Sequence, residues 1–201
     1  MDAAIGQIVE ALDKSGKAGE TIVLFTSDNG GQQSYSSQTA KIEYGGKFEG
    51  HTTLGNNRPL RDWKGSLYEG GVRVPAFVHA RGRLKPAAVD TPISVLDWFP
   101  TFLRRAGVAA PAEWKLEGKD VWEVLAQRER TPPARTIYWN VGDDSAIVSG
   151  DWKLILSREG KAELYNIARD PKETTNLASS TPARVEELRK LLAEQKKLDP
   201  R

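Results

Sequence analysis

The residues best suited to chemistry in this sequence lie in one short segment, Ser27-Asp28-Asn29-Gly30-Gly31. Asp28 offers a carboxylate and Asn29 an amide carbonyl, and both are hard oxygen donors of the kind that Ca²⁺ or Mg²⁺ binds. The two glycines that follow allow the backbone to turn sharply beside these donors. The same residue types are also common in plain turns, so the segment alone leaves both interpretations open.

The element that must position these donors is the apolar run before them, Thr21-Ile22-Val23-Leu24-Phe25-Thr26. A short run rich in β-branched and aromatic residues and bounded by Gly is typical of a strand covered on both faces in a mostly parallel sheet. Ligands of such sheets gather at the carboxyl ends of the strands. The sequence therefore predicts a buried strand that ends in a site.

A second candidate segment, Arg58 to Pro75, is dense in cations and glycines and leads into another apolar run. We expect a strand over residues 72–80. Glu69 and Arg73 are close enough in sequence to pair, and Gly70 and Gly71 permit a tight backbone.

Together the two segments resemble the sulfatase family. The resemblance rests on motifs in the same order along nearly the whole chain: Ser27-Asp28-Asn29-Gly30, Pro59-Leu60-Arg61, Lys64-Gly65, Glu69-Gly70-Gly71, Arg73-Val74-Pro75, Asp97 with Pro100-Thr101, Leu164-Tyr165-Asn166, Asp170-Pro171, Glu173 and Asn176-Leu177-Ala178. It implies a hydrolase of sulfate esters that uses a divalent cation, Ca²⁺ or Mg²⁺. Asp28 and Asn29 would be metal ligands, and Lys64 would be the catalytic cation that contacts the sulfate.

The resemblance also implies a formylglycine nucleophile made from a Cys or Ser in a Cys/Ser-x-Pro-x-Arg motif. The sequence contains no cysteine, and we expect no such motif anywhere in it, so the nucleophile is expected to lie in an absent N-terminal part. By the same reasoning the isolated chain is expected to be inactive and to bind metal weakly, since two protein ligands are few for Ca²⁺.

Two further residues are candidates for substrate binding. His51 lies in a long polar stretch, residues 32–57, that we interpret as a long surface loop, and the resemblance implies that this loop lies over the site. Arg61 could reach an anionic substrate. A solvated loop histidine and an exposed arginine are the competing interpretations.

The predicted fold class is α/β: the C-terminal part of an alkaline-phosphatase-like mixed sheet flanked by helices, plus a small antiparallel sheet and helix. The predicted division places the catalytic part at residues 1–133 and the small subdomain at 134–201. Helices are expected over 2–12, after Pro100, near 118–125 and over 183–198. Four short strands between residues 136 and 165 are expected to pair antiparallel.

The charge and the apolar runs of the sequence limit which partners and locations can be predicted. The formal net charge is +2 in 201 residues, which gives no indication of nucleic-acid binding. The sequence has no apolar run long enough to cross a bilayer and no signal peptide at its start, so a periplasmic, secreted or lysosomal location rests on the resemblance alone.

Two alternatives stay open: a phosphoester or phosphonate hydrolase of the same superfamily, and a non-catalytic truncated module or half of a two-chain enzyme.

Overall fold

The computed structural model describes residues 2–33, 55–128 and 135–199. His51 and the expected linker at residues 132–133 lie outside these ranges. The chain forms two compact units, one of residues 1–25 with 77–133 and one of residues 26–76 with 134–201. The candidate loops and the small antiparallel sheet therefore belong to the same unit. The division at 133/134 stays a prediction.

Up to residue 128, the regular elements among the described residues are helices and one two-stranded sheet. Its elements are α1 (Asp2–Lys14), β1 (Val23–Thr26), α2 (Glu69–Val72), β2 (Ala76–His79), a 3₁₀ turn (Val95–Asp97), α3 (Trp98–Arg105) and α4 (Trp122–Leu125). In the β1–β2 sheet, the rings of Phe25 and Phe77 stack with centroids 5.3 Å apart.

Two predictions about these strands are wrong in detail. β1 is half-buried along its length and not fully covered, because within the described residues it pairs with β2 alone. The predicted strand over 72–80 is shorter, since Glu69–Val72 forms a helical turn and the strand begins only at Ala76. Pro75, just before it, has no amide hydrogen to give to a sheet.

The Asp97 and Thr101 motif is architectural. Asp97 is fully buried, and its carboxylate accepts hydrogen bonds from the amides of Ser94 at 2.7 Å and Lys119 at 2.9 Å. The Thr101 hydroxyl donates to the Asp97 carbonyl at 2.7 Å. Pro100 is the third residue of α3, a first-turn position where no intrahelical amide donor is needed. The helix therefore begins before Pro100, slightly earlier than predicted.

The second unit is built on four antiparallel strands in chain order, as the sequence predicts. They are β3 (Thr136–Val141), β4 (Asp144–Ser149), β5 (Trp152–Leu156) and β6 (Ala162–Asn166), and α5 (Pro182–Lys196) follows them. One sheet face packs on α5 through Ile147, Leu154 and Leu164, which meet Leu188 and Leu192. The predicted small antiparallel sheet, followed by a helix, is confirmed.

Strand alternation turns the neighbouring residues to the opposite face of this sheet. There Ala146, Ile155 and Tyr165 pack against Leu67, with Tyr68 at the edge of the cluster. Leu67 comes three residues after Lys64 in the chain. The sheet therefore supports the segment that carries the candidate catalytic cation.

Candidate functional site

Residues 27–31 follow β1 in a tight loop, called the Asp28 loop below. The Ser27 amide donates to the Pro75 carbonyl at 3.2 Å, and its hydroxyl donates to the Asn29 carbonyl at 2.9 Å. Asp28 is exposed and Asn29 is half-buried. Among residues 2–33, 55–128 and 135–199, none bonds the side chain of Asp28 or Asn29, so both keep free oxygens.

The glycines bring three backbone segments closer than side chains would allow. The Gly30 amide donates to the Gly71 carbonyl at 2.9 Å. A Cβ atom on Gly30 would lie 1.7 Å from the Gly70 carbonyl oxygen, and one on Gly70 would lie 2.2 Å from the Asp62 carbonyl oxygen. Both distances are far below van der Waals contact, so only glycine fits at these two positions.

Asn57 joins the first loop to the second. Its Oδ1 accepts a hydrogen bond from the Gly31 amide at 2.8 Å. Its Nδ2 donates to the Gly31 carbonyl at 3.1 Å and to the Asp62 carbonyl at 3.0 Å. The Asn57 side chain thus binds both the amide and the carbonyl of Gly31. It holds Gly31 beside the segment around Asp62.

Lys64 lies in the segment of residues 57–68, called the Lys64 loop below. Its backbone holds it against the Asp28 loop. Its amide donates to the Gly31 carbonyl at 3.0 Å, while its side chain is exposed and no described residue pairs with its ammonium. The structure therefore brings Asp28, Asn29 and Lys64 onto adjoining loops of one unit. Within the part of the chain that the structure describes, no partner engages these two oxygen donors or this cation, which are the groups that a ligand would bind.

Arg61 points toward the small sheet. Its guanidinium donates to the Tyr165 hydroxyl at 2.9 Å and to the Glu173 carbonyl at 3.2 Å, and it lies 3.7 Å from the Tyr68 ring centroid. Its side chain remains 41% exposed, so part of the guanidinium faces solvent. A contact between Arg61 and substrate stays a prediction, as does one from His51.

Glu163 anchors the hydroxyl groups around Arg61. Tyr68 donates to it at 2.8 Å, Tyr165 donates to it as well, and Arg61 lies 3.7 Å away. Burial alone would raise the pKa of Glu163, but these hydrogen bonds and the arginine charge outweigh it and lower that pKa. Burial, followed by the bond to Glu163, raises the pKa of Tyr68 to about 12.

A buried ion cluster that we did not predict lies next to these groups. Lys153 on β5 has no exposed surface, and its Nζ lies 2.8 Å from Glu69 and 2.9 Å from Glu173. A second Glu173 oxygen accepts from the Glu69 amide at 2.6 Å, and burial raises the pKa of Glu173. The expected pairing of Arg73 with Glu69 is present at 3.8 Å. A lone lysine inside the apolar run Trp152-Lys153-Leu154-Ile155 was the available signal.

The loop after β6 explains the late sequence motif. The Asp170 carboxylate accepts from the amides of Thr174 and Thr175 at 2.8 and 2.9 Å. The Asn176 side chain accepts from the Leu164 amide at 3.0 Å. Both motif residues shape the loop that carries Glu173 into the ion cluster.

One segment does match the Cys/Ser-x-Pro-x-Arg pattern, Ser180-Thr181-Pro182-Ala183-Arg184, so the expectation that the pattern is absent was wrong. The structure uses this segment to start α5, with Pro182 as the first helical residue. The Ser180 hydroxyl donates to the Leu177 carbonyl at 3.1 Å, and Arg184 pairs with Glu187 at 2.7 Å. α5 covers the sheet face opposite to Lys153 and Tyr165. Ser180, at the start of α5, is therefore not part of the candidate site.

The donor types at Asp28 and Asn29 fit a hard divalent cation, but they are only two. Within the described ranges, no group of three or more His, Asp or Glu side chains is arranged to hold a metal ion. In the same ranges no helix is long and apolar enough to span a membrane.

Comparison with known families agrees with this arrangement. The family model described as Sulfatase matches residues 1–108. A second model, N-sulphoglucosamine sulphohydrolase, C-terminal, matches residues 62–198. The chain belongs to the sulfatase family.

Two relatives show how much of such proteins the chain represents. It is 28% identical over 207 residues to N-acetylgalactosamine-6-O-sulfatase of Bacteroides thetaiotaomicron, covering 96% of this chain and 39% of that protein. It is 26% identical over 244 residues to arylsulfatase J of Mus musculus, covering 96% of this chain and 38% of that protein. The chain thus spans less than half the length of these relatives.

Solved structures give the same result for the fold. A structure from work on the metabolism of multiple glycosaminoglycans by Bacteroides thetaiotaomicron matches with a TM-score of 0.78 and 27% identity, over 98% of this chain and 43% of that one. The crystal structure of Ps i-CgsB matches with a TM-score of 0.76 and 28% identity, over 98% of this chain and 40% of that one. The predicted α/β fold class, with its alkaline-phosphatase-like architecture, is confirmed.

Proposed function

We propose that this chain supplies part of the active site of a sulfuric ester hydrolase, with metal ligands at Asp28 and Asn29 and a sulfate-contacting cation at Lys64. The observation that carries the proposal is the hydrogen bond from the Lys64 amide to the Gly31 carbonyl at 3.0 Å. It fixes the lysine-bearing loop beside the loop with the free oxygen donors. Membership in the sulfatase family supports the choice of a sulfate ester as substrate.

Asp28 and Asn29 would hold a divalent cation, Ca²⁺ or Mg²⁺. A bound cation of this kind acts as a Lewis acid and orients the substrate and the attacking group. Ca²⁺ takes six to eight oxygen ligands, so most ligands would come from other residues or from water. The exposure of Asp28 supports its role as the charged ligand of this pair.

Lys64 would stabilise negative charge on the sulfate as the bond from sulfur to the leaving oxygen breaks. A preorganised cation beside a developing charge is an effective form of transition-state stabilisation. The backbone bond to Gly31 orders the Lys64 loop, and its exposed side chain is free to reach an anion. His51 and Arg61 belong to the same proposal as substrate contacts.

The proposed reaction also needs a nucleophile. Sulfatases resembling this chain use a formylglycine made from Cys or Ser, and Ser180 is engaged in starting α5. We place the nucleophile outside these 201 residues, in the remainder of a longer protein or in a second chain. A periplasmic, secreted or lysosomal location is part of the same family-based proposal.

A substrate panel on the natural polypeptide that contains this chain tests the proposal. Steady-state rates with 4-nitrophenyl sulfate and 4-nitrophenyl phosphate would be compared, with Ca²⁺ present and after chelation. We expect the sulfate to be hydrolysed faster and chelation to abolish the rate. Faster hydrolysis of the phosphate would instead support the phosphoester alternative, and no hydrolysis of any sulfate or phosphate ester would support the non-catalytic one.

A further inference from the structure

The proposed chemistry leaves one fully buried lysine without a use. Lys153 has no exposed surface and lies between two carboxylates that are themselves buried, Glu69 and Glu173. Removing such charges from water is unfavourable, and well-packed apolar residues of the same volume are often as stabilising. The cluster is therefore poorly explained by stability alone, and its position in the fold suggests another reason.

The cluster fixes Glu69 at two points. The Glu69 carboxylate lies 2.8 Å from Nζ of Lys153, and the Glu69 amide donates to the Glu173 carboxylate at 2.6 Å. Side chain and backbone of this residue are thus tied to β5 and to the loop after β6. Glu69 is also the first residue of α2, so the two contacts set where Gly70 and Gly71 lie.

Gly70 and Gly71 are in turn bonded to both candidate loops. The Gly70 amide donates to the Arg61 carbonyl at 2.7 Å, and the Gly71 carbonyl accepts from the Gly30 amide at 2.9 Å. A Cβ on Gly70 would lie 2.3 Å from the Arg61 carbonyl oxygen, so these segments have no room to slide. A displacement of Glu69 would therefore move the loops that carry Asp28 and Lys64.

The loop that carries Glu173 also constrains the backbone of this residue. Its φ angle is +54°, in the left-handed region that a non-glycine residue seldom adopts. The Asp170 carboxylate holds the next turn through the amides of Thr174 and Thr175. Strained backbone of this kind persists where surrounding contacts over-determine it and clusters near functional sites.

We infer that Lys153 is a positioning residue: its ion pairs with Glu69 and Glu173 set the Gly70–Gly71 segment, which aligns the Asp28 loop with the Lys64 loop. The identity of the ligand held by those loops rests on the proposed function. The coupling between Lys153 and the positions of the two loops does not depend on the proposed function.

The test is amide hydrogen exchange at residue resolution on the full chain, comparing wild type with Lys153→Met. The amides of Gly30 and Lys64, which bond across the two loops, are the local probes, and the amides of β4 report global opening. We expect exchange at Gly30 and Lys64 to rise at least about tenfold beyond any rise in β4, because unpaired buried carboxylates strongly destabilise their surroundings. Lys161→Met is the matched control, since the Lys161 side chain is 70% exposed and lies 3.6 Å from Glu163.

An unchanged exchange rate at Gly30 and Lys64 would overturn the inference. So would a rise that β4 shares equally, since that is what a purely stabilising cluster produces, or an equal local rise in Lys161→Met. If Lys153→Met does not fold, Glu69→Gln decides by the same criteria, because it keeps the side-chain shape and leaves Lys153 paired with Glu173. Hydrogen exchange needs neither substrate nor metal, so a failed sulfatase assay and a failed positioning test are separate results.

Discussion

Gly31 and Asn57 pair through both ends of one amide side chain: Oδ1 accepts from the Gly31 amide at 2.8 Å, and Nδ2 donates to the Gly31 carbonyl at 3.1 Å. The same Nδ2 reaches the Asp62 carbonyl at 3.0 Å. The pairing connects the loop of oxygen donors with the loop that leads to Lys64. A single side chain therefore has a large part in the geometry of the proposed site.

Asn57→Ala is expected to lower the free energy of unfolding by about 2 kcal/mol, because it leaves the Gly31 amide without its acceptor in a partly buried position. Asn56→Ala is the control, since Asn56 is exposed and its Oδ1 accepts from the nearby Arg58 amide at 3.0 Å. Urea denaturation of both variants measures the difference. Equal losses in the two would contradict the role given to Asn57.

Gly70→Ala is expected to destabilise the protein by about 3 kcal/mol. Its new Cβ would lie 2.2 Å from the Asp62 carbonyl oxygen, and backbone atoms have little freedom to move away. Gly6 lies in α1, where an added Cβ would meet no described residue outside its own helix within 4 Å, so Gly6→Ala should stabilise by about 0.5–1 kcal/mol. If thermal unfolding shows that Gly70→Ala is tolerated as well as Gly6→Ala, the close approach of the loops is wrong.

The small sheet and α5 were predictable because their signals are local. Apolar runs separated by Gly and Asp turns predict antiparallel strands, and the structure has four of them followed by a helix. The Asp28 loop was predictable for a similar reason, since donor residues follow directly after an apolar strand. Sequence neighbours alone decide these features.

Lys153 and the start of β2 were not predictable in this way. Lys153 looks like a solvent-facing strand residue until its partner Glu69, 84 positions earlier, is known to lie beside it. Residues 72–75 look like strand, but Val72 ends the helical turn Glu69–Val72, whose Gly70 packs against the Asp62 carbonyl, and the strand begins only at Ala76. Contacts between distant segments decide both features.

The stability of the second unit should depend on the ionisation of Glu163. Hydrogen bonds from Tyr165 and Tyr68 and the charge of Arg61 outweigh the effect of burial and lower its pKa in the folded state. A group with a lowered folded pKa stabilises the fold above its unfolded pKa and loses that contribution as pH falls through the folded value. Wild type should therefore exceed Glu163→Gln in stability at pH 7, and the difference should shrink as pH falls below the usual value of 4.5.

Urea midpoints of wild type and Glu163→Gln between pH 7 and pH 3 measure this difference. Glu159→Gln, on the exposed turn after β5, is the control and should show a small difference from wild type at each pH. A gap between wild type and Glu163→Gln that stays constant or grows toward low pH would show that the carboxylate is not held in its charged form.

The chain alone should bind Ca²⁺ weakly, with a Kd above about 10⁻⁴ M, because Asp28 and Asn29 supply only two of the oxygens that this ion takes. Isothermal titration calorimetry on wild type and on Asp28→Asn measures the affinity, and the variant should bind more weakly still. A Kd below about 10⁻⁶ M would mean that other groups complete the site within this chain. Weak binding that Asp28→Asn leaves unchanged would place the ion elsewhere.

The central claim is that Lys64 contacts the sulfate, and the turnover number of its alanine variant tests this most directly. In the natural polypeptide that contains this chain, Lys64→Ala should lower kcat for an aryl sulfate by about 10²–10³-fold, as expected when one charge-stabilising group is removed. Lys190→Ala, an exposed lysine on α5, should keep the wild-type rate. Equal kcat values for Lys64→Ala and Lys190→Ala would contradict the account.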